Sequence, residues 1–191
     1  MKAHEYISAG LDAAKKTIDS LRCEIDAITD AAKMARRSLD SGGRIFFAGN
    51  GGSAADAQHA AAELVGRLGM GVDRPPMSAI ALTTDTSALT ALSNDFGFEQ
   101  VFARQLRALG RSGDILFAIS TSGGSANILE AARAARELDI KVIGFTGPES
   151  GELGSLSDVI IHSCGDNTPR IQEGHEVALH IICGLIESDI L

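Results

Sequence analysis

Short apolar runs alternate with segments of helical spacing along most of this 191-residue chain, and this alternation strongly restricts the possible fold. The apolar runs predict strands at Arg44–Ala48, Ser78–Leu82, Asp114–Ile119, Lys141–Thr146 and Val159–His162. The intervening segments predict helices at Ala54–Leu68, Glu99–Leu109 and Ala126–Leu138, and a last helix from about Ile171. Strands joined by helical crossovers form a parallel sheet covered on both faces. The sequence therefore predicts an α/β fold, a three-layer αβα sandwich around a parallel five-stranded sheet.

An N-terminal arm of about residues 1–41 precedes the first strand. Its apolar residues recur near helical spacing, which predicts two helices ending at Ser41-Gly42-Gly43. The chain contains no linker, repeat or low-complexity segment, and its length suits one domain with a full core. We expect a single domain over residues 1–191.

Charge and composition exclude several classes of partner. The chain has 17 basic and 25 acidic residues, a net charge of −8, and no basic block, so a nucleic-acid partner is not expected. No apolar run reaches the ~18 residues needed to span a membrane. The N-terminus is charged where a signal peptide would be apolar. Three unevenly spaced cysteines, Cys23, Cys164 and Cys183, suit a reducing cytoplasm.

Two serine- and glycine-rich loops follow predicted strands, at Gly49–Ser53 and Ser120–Ser125. Each opens a helix, where free backbone N–H groups and hydroxyls can hold a phosphate. Taken alone, the first loop could be a tight turn capped by Ser53. It also loosely fits a dinucleotide fingerprint, but the acid expected roughly 20 residues later is missing, and Asp85 lies too far away. The four hydroxyls of the second loop are more than capping needs, so the pair predicts a phosphate site.

Acid-base side chains occur in two helical segments. His59 and Glu63 are four residues apart and share a helix face, either as a surface pair or as part of a site. His175 and His180 are five apart, about 140° around a helix, which excludes the paired-histidine site of zinc proteases. We expect His175 to be structural, and Glu173 and Glu176 to lie on a solvated or interface face.

Several motifs carry a family resemblance. They are the two loops, the segment Asn94-Asp95-Phe96-Gly97-Phe98, the pattern His59-x-x-x-Glu63-Leu64-x-Gly66-Arg67, and Arg170-Ile171-Gln172-Glu173. The loops resemble the SIS (sugar isomerase) domain. Together the motifs resemble the phosphoheptose isomerase family along essentially the whole chain. The resemblance implies conversion of sedoheptulose 7-phosphate to D-glycero-D-manno-heptose 7-phosphate for bacterial surface carbohydrate such as lipopolysaccharide.

The resemblance also implies roles for single residues. Glu63 and His180 are the implied acid-base pair, and both are implied zinc ligands together with His59 and Gln172. The implied substrate contacts are Asn50, Gly51, Gly52, Ser53, Glu63, Asn94, Asp95, Ser120, Thr121, Ser122, Ser125 and Gln172. About one zinc ion per subunit and a homotetramer with sites at subunit interfaces are implied as well.

Two features limit this transfer of roles. Eight helical residues span ~12 Å, whereas zinc ligands lie ~2 Å from the ion. Gln172 and His180 can therefore share an ion only if Gln172 precedes the helix or comes from a neighbouring chain. Thr168-Pro169 also stands directly before Arg170-Ile171-Gln172, where some members of the resembled family have an acidic residue, so a proton relay through that acid is not carried over to this chain.

Three alternative functions remain: a non-catalytic SIS binding protein, an isomerase of another sugar phosphate and a dinucleotide-dependent oxidoreductase.

Overall fold

Five parallel strands form a single sheet in the computed structural model, which describes residues 2–69, 73–188 and 190–191. The strands lie in the order β2-β1-β3-β4-β5. Their bounds are β1 Ile45–Ala48, β2 Ala79–Ala81, β3 Ile115–Ile119, β4 Lys141–Thr146 and β5 Val159–His162. The sheet and its covering helices confirm the predicted α/β class. The order places β1 and β3 side by side, with Ile45 opposite Ile115.

Helices precede and connect the strands. They are α1 Ala3–Ser20, α2 Ile25–Asp40, α3 Gly52–Val65, α4 Thr86–Phe96, α5 Val101–Leu109, α6 Ala126–Glu137, α7 Gly151–Leu156 and α8 Thr168–Glu187, with short 3₁₀ turns at Leu21–Glu24 and Phe98–Gln100. Within the described ranges, no helix combines the length and the apolar character needed to cross a bilayer.

Alternating strand residues build two separate cores. On one face, Phe47, Phe117 and Phe145 pack against α2, α3 and α8. On the other face, Phe46 and Leu116 pack against α5 and α6. Because both faces are covered, the strands are apolar on both faces, and their polar residues Lys141, Thr146 and His162 stand at strand ends.

The predicted elements differ from the observed ones mainly where burial is low. Helix α4 was not predicted: its apolar stripe is short, Leu89 and Leu92 in it are only partly buried against the core, and the helix contributes no fully buried residue. The short α7 was also missed. Helix α8 begins at Thr168 rather than near Ile171, because Asn167 caps it by accepting a hydrogen bond from the Arg170 N–H at 3.1 Å.

The N-terminal helices pack against α8 but leave an apolar surface exposed. Tyr6, Ile7, Leu11 and Ile25 are each more than half exposed. A groove of about 720 Å³ runs between α1, α2 and α8, with Ile18 and Ile181 among its lining residues. Such a contiguous apolar surface is typical of an interaction site.

Candidate functional site

The two serine loops meet at the carboxyl edge of the sheet because they follow the neighbouring strands β1 and β3. Asn50 of the first loop and Asn127 of α6 join them through two reciprocal side-chain amide hydrogen bonds, each 2.8 Å long. Asn127 is almost completely buried. This pairing holds the two loops at a defined separation.

A cavity of about 420 Å³, here called the serine cavity, lies between the loops. Its lining residues are Asn50, Gly51, Gly52, Ser53, Ile119, Ser120, Thr121, Ser125, Thr168 and Gln172. The Ser120 hydroxyl lies 3.0 Å from that of Ser125 and 3.5 Å from that of Ser122, so three hydroxyls converge beside the N-terminus of α6. Clustered donors of this kind suit a phosphate group.

Glycine is required at two points of these loops. Gly51 has a φ of +56°, in the left-handed region that side chains disfavour. A Cβ on Gly52 would lie 2.6 Å from the Gln172 Oε1 atom. The side-chain amide of Gln172 therefore rests directly on the loop, with its Nε2 donating to the Ser53 Oγ at 3.4 Å.

A second group of side chains, here called the histidine cluster, consists of His59 and Glu63 from α3 and Glu176 and His180 from α8. The Nε2 atoms of His59 and His180 are 2.8 Å apart. The Glu63 Oε1 atom lies 3.4 Å from the His59 Nε2. Two helices far apart in sequence thus bring imidazoles and carboxylates together.

The histidine cluster fits a divalent metal ion. Two imidazole nitrogens within hydrogen-bond distance need either a shared proton or a cation between them. One ligand atom each from His59, Glu176 and His180 lie within 4.8 Å of one another. Imidazole nitrogen with carboxylate oxygen is a donor set that zinc and similar ions prefer.

Asp56 lies behind the cluster, against Glu176. Burial raises the pKa of Asp56 to about 7, and the neighbouring Glu176 carboxylate adds to this, while His59 opposes it. Asp56 Oδ2 and Glu176 Oε2 are both buried without a hydrogen-bond partner in the described part of the chain. Two facing carboxylates in this position favour a proton or a cation between them.

A shallow groove of about 510 Å³, here called the carboxylate groove, connects the two sites. It is lined by Ala14, Ile18, Asp56, Pro169, Gln172, Glu173, Glu176 and Val177. Gln172 borders both the serine cavity and this groove. Pro169 brings no acid to the groove, and its carboxylates come from Asp56, Glu173 and Glu176.

The structure brings together many of the residues singled out from sequence. Asn50, Gly51, Gly52, Ser53, Ser120, Thr121 and Ser125 line the serine cavity, Ser122 contacts its hydroxyls, and His59, Glu63 and His180 meet in the histidine cluster. Asn94 and Asp95 do not line the serine cavity. They are exposed near the end of α4, where the Asn94 amide donates to Asp95 at 2.8 Å.

Gln172 lies inside α8, so the first of its two expected placements, a position before the helix, does not apply. Its amide contacts Ser53 at the serine loop, and it lines the serine cavity as expected of a substrate contact. Glu176, expected on a solvated or interface face, instead lies between Gln172 and His180 and contacts both histidines. The sequence signal that could have identified Glu176 is its four-residue spacing from His180, which places both side chains on one helix face, as for His59 and Glu63.

Asn127 and Asp56 were not among the residues singled out from sequence, because no motif in the neighbouring sequence marks either of them.

His175 is structural as expected. It is fully buried, its Nε2 lies 2.8 Å from the Thr146 carbonyl oxygen, and its ring packs edge-on against Phe145.

The fold and the paired serine loops define an SIS-domain protein, and residues 6–147 match the SIS domain family. The phosphoheptose isomerase of Helicobacter hepaticus is 52% identical over 163 residues, covering 85% of this chain and 82% of that protein. A phosphoheptose isomerase structure from Neisseria gonorrhoeae superposes with a TM-score of 0.91 at 42% identity, covering 97% and 98% of the two chains. One from Francisella tularensis gives 0.93 at 37% identity, covering 98% and 99%. The chain belongs to the phosphoheptose isomerase family.

Proposed function

We propose that this protein isomerises sedoheptulose 7-phosphate to D-glycero-D-manno-heptose 7-phosphate. One observation carries the proposal: the serine cavity and the histidine cluster lie along the same two helices, α3 and α8. A phosphate held at one end therefore places the far end of the sugar beside acid-base groups. Family membership gives the particular sugar.

The separation of the two sites suits a long sugar phosphate. Along α3, the six residues from Ser53 to His59 rise ~9 Å and the ten to Glu63 rise ~15 Å. An extended chain advances ~1.2 Å per bond, so the eight bonds from C1 of a heptose to its phosphorus span roughly 10 Å. A triose phosphate, with four such bonds, reaches only ~5 Å. Because helical side chains lean toward the N-terminus of their helix, the Glu63 carboxylate lies nearer to the loop than the rise along the axis. A triose phosphate falls short even of the rise to His59, so the spacing favours the longer sugar phosphates.

The reaction moves one proton between carbons through an enediolate. Glu63 removes a proton from C1 while the C2 carbonyl oxygen gains one. A proton then adds at C2 as the C1 oxygen loses its own, so no atom is gained or lost overall. We assign to His180 the exchange of the oxygen-bound proton. Its imidazole is held against His59 and Glu176 in the histidine cluster.

The residues of the phosphate site act by binding. Hydroxyls of Ser53, Ser120, Ser122 and Ser125 and the adjacent backbone N–H groups hold the phosphate. These contacts persist through the proton transfer, so they contribute mainly to substrate affinity.

Asn94 and Asp95 lie outside the serine cavity of their own chain, and we assign them to sugar hydroxyls in the site of a neighbouring subunit.

We propose that the histidine cluster binds about one zinc ion per subunit. His59, Glu63 and His180 of the histidine cluster would hold it. Gln172, the fourth ligand that the resemblance implies, contacts Ser53 in this chain. When bound, zinc supplies positive charge that stabilises the developing oxyanion.

We also propose a homotetramer assembled through the N-terminal arm. The exposed apolar residues of α1 and the groove beside Ile18 and Ile181 suit a second copy of this chain.

The unpaired cysteines, two of them exposed, support a reducing cytoplasmic location. The product would supply heptose for surface carbohydrate such as lipopolysaccharide.

The direct test incubates the purified protein with sedoheptulose 7-phosphate and follows the product by NMR. Glu63→Gln should lose roughly 10²–10⁴-fold in kcat, the usual range for a positioned acid-base group. Glu137→Gln, which removes an exposed carboxylate from α6, should retain wild-type turnover. Tight binding of the sugar without turnover by the wild-type protein would favour a non-catalytic binding role. Near-normal turnover by Glu63→Gln would remove Glu63 as the base.

A further inference from the structure

The second serine loop is supported from behind by the loop between β4 and α7, residues 147–150, here called the support loop. The Gly147 N–H donates to the Thr121 carbonyl oxygen at 2.9 Å. Gly123 has a φ of +62°, and a Cβ placed on it would collide with the Ser150 carbonyl oxygen. The two loops thus touch backbone to backbone, so the position of the support loop sets the position of Gly123.

The position of Gly123 matters because it lies between two of the converging hydroxyls. The Ser122 and Ser125 hydroxyls lie 3.5 and 3.0 Å from that of Ser120. A shift of Gly123 would change this spacing. Donors that bind one ligand must be held within a fraction of an ångström, and packed neighbours outside the site usually do so. Phosphate affinity should therefore depend on what holds the support loop.

A row of three side chains holds the support loop. The Ser150 Oγ lies 2.9 Å from the His162 Nε2. On the other side of the ring, the His162 Nδ1 lies 3.5 Å from the Glu24 Oε1. The His162 backbone N–H also donates to the Glu24 Oε2 at 3.2 Å. The side chains of His162 and Glu24 are mostly buried, so these contacts are largely shielded from water.

The fold explains why these residues meet. His162 is the last residue of β5, which is an edge strand of the sheet. Its backbone N–H is available on the open side of that strand, where Glu24, from the turn between α1 and α2, accepts it. Because Glu24 also faces Nδ1, it favours the tautomer with a proton there, which leaves Nε2 to accept a hydrogen bond from the Ser150 hydroxyl.

We propose that Ser150, His162 and Glu24 are positioning residues of the phosphate site. They fix the support loop, and the support loop fixes Gly123 and the spacing of the serine hydroxyls. None of the three is among the residues that line the serine cavity in the described part of the chain, so they act through the loop and not on the ligand. The inference rests on the proposed function only for the identity of the ligand as a sugar phosphate.

Phosphate binding can be measured without turnover, by titrating the protein with inorganic phosphate and following it by phosphorus NMR. His162→Ala and Ser150→Ala should each weaken phosphate binding roughly 3–30-fold, the range for residues that act on a site through a chain of contacts. In the isomerase assay, KM should rise by a similar factor and kcat should stay within about twofold of wild type. The double variant should bind phosphate about as well as His162→Ala, because effects that pass through one contact do not add.

Ser155→Ala is the matched control, because Ser155 lies on α7 and its hydroxyl donates to the Glu152 carbonyl oxygen at 2.8 Å instead of contacting His162. It should bind phosphate like the wild type. Glu24→Gln keeps an oxygen that can accept the His162 N–H, so it should bind phosphate more tightly than Glu24→Ala. Circular dichroism checks folding, and Ser150→Ala, which removes a single heavy atom, gives the measurement if His162→Ala does not fold.

A purely structural role predicts a different result. Lower stability in urea with phosphate affinity within about twofold of wild type, in both His162→Ala and Ser150→Ala, would overturn the inference. Additive losses in the double variant, or a wild-type protein that binds no phosphate, would also overturn it. The isomerase assay is a separate readout. Phosphate binding that depends on His162, without heptose isomerisation, would support the positioning role and contradict only the proposed function.

Discussion

A buried ion pair between Arg74 and Glu187 joins the segment after α3 to the end of α8. The Arg74 Nε atom lies 2.8 Å from Glu187 Oε1, and the two side chains are only 9% and 5% exposed. The Arg74 guanidinium also donates to the carbonyl oxygens of Glu63 and Leu64, each at 2.9 Å. It thereby caps the C-terminus of the helix that carries the proposed base.

Arg74→Ala should destabilise the protein by about 3–5 kcal/mol. Removing one partner of a buried pair leaves the other charge without compensation, which costs about this much. The substitution also leaves two helix-end carbonyls without a donor. Because typical domains unfold with about 5–15 kcal/mol, the loss is a large fraction of the total.

Urea denaturation at one fixed protein concentration measures the change. The control is Arg22→Ala, which breaks an Arg22–Asp19 pair whose side chains are 79% and 68% exposed. It should cost less than about 1 kcal/mol. A loss below about 1 kcal/mol for Arg74→Ala would refute the argument that this pair secures the two helix ends.

The same pair predicts a pH dependence. Burial alone would raise the pKa of Glu187, but hydrogen bonds from Gly69, Arg74 and Leu68 outweigh it and lower the pKa below its ordinary value of 4.5. The stability that the ionised Glu187 carboxylate adds to the folded protein is therefore fully present above pH 4.5, and it is lost as the pH falls through the lower pKa of the folded state. The stability difference between wild type and Glu187→Gln should shrink over that range.

Three further predictions concern the sites and the core. Ser122→Ala combined with Ser125→Ala should raise KM with little change in kcat, and inorganic phosphate should compete with substrate; normal KM and no competition would exclude the serine cavity as the phosphate site. Burial lowers the pKa of His175 from 6.5 to about 4, against the opposing hydrogen bond to Thr146. As the pH falls, the unfolded chain therefore takes up a proton at His175 before the folded protein does. The free energy of unfolding of the metal-free protein should fall by roughly 3 kcal/mol between pH 6.5 and pH 4, and this decrease should be absent in His175→Asn. Leu11→Glu should shift the species seen by light scattering toward smaller assemblies, whereas Lys33→Glu on α2 should not.

Sequence alone determined the architecture because its signals are local. Apolar runs bounded by helical segments specify a parallel sheet, and glycine and serine after β1 and β3 mark the loops. The pair of His59 and Glu63 was also visible, since four residues bring two side chains onto one helix face. Helix α4 was not predicted because its apolar stripe is short, with Leu89 and Leu92 only partly buried against the core.

Tertiary structure decided which of these residues meet. The contact of His59 with His180 joins residues 121 positions apart, and it depends on how α8 is rotated against α3. Periodicity defines the faces of each helix but not which neighbouring helix a given turn will oppose. The same rotation directs Gln172 to the serine loop, brings Glu176 into the histidine cluster and sets Asp56 behind it. The packing of the apolar residues of α8 against α1, α2, α3 and Phe145, rather than any local pattern of polar residues, determines that rotation.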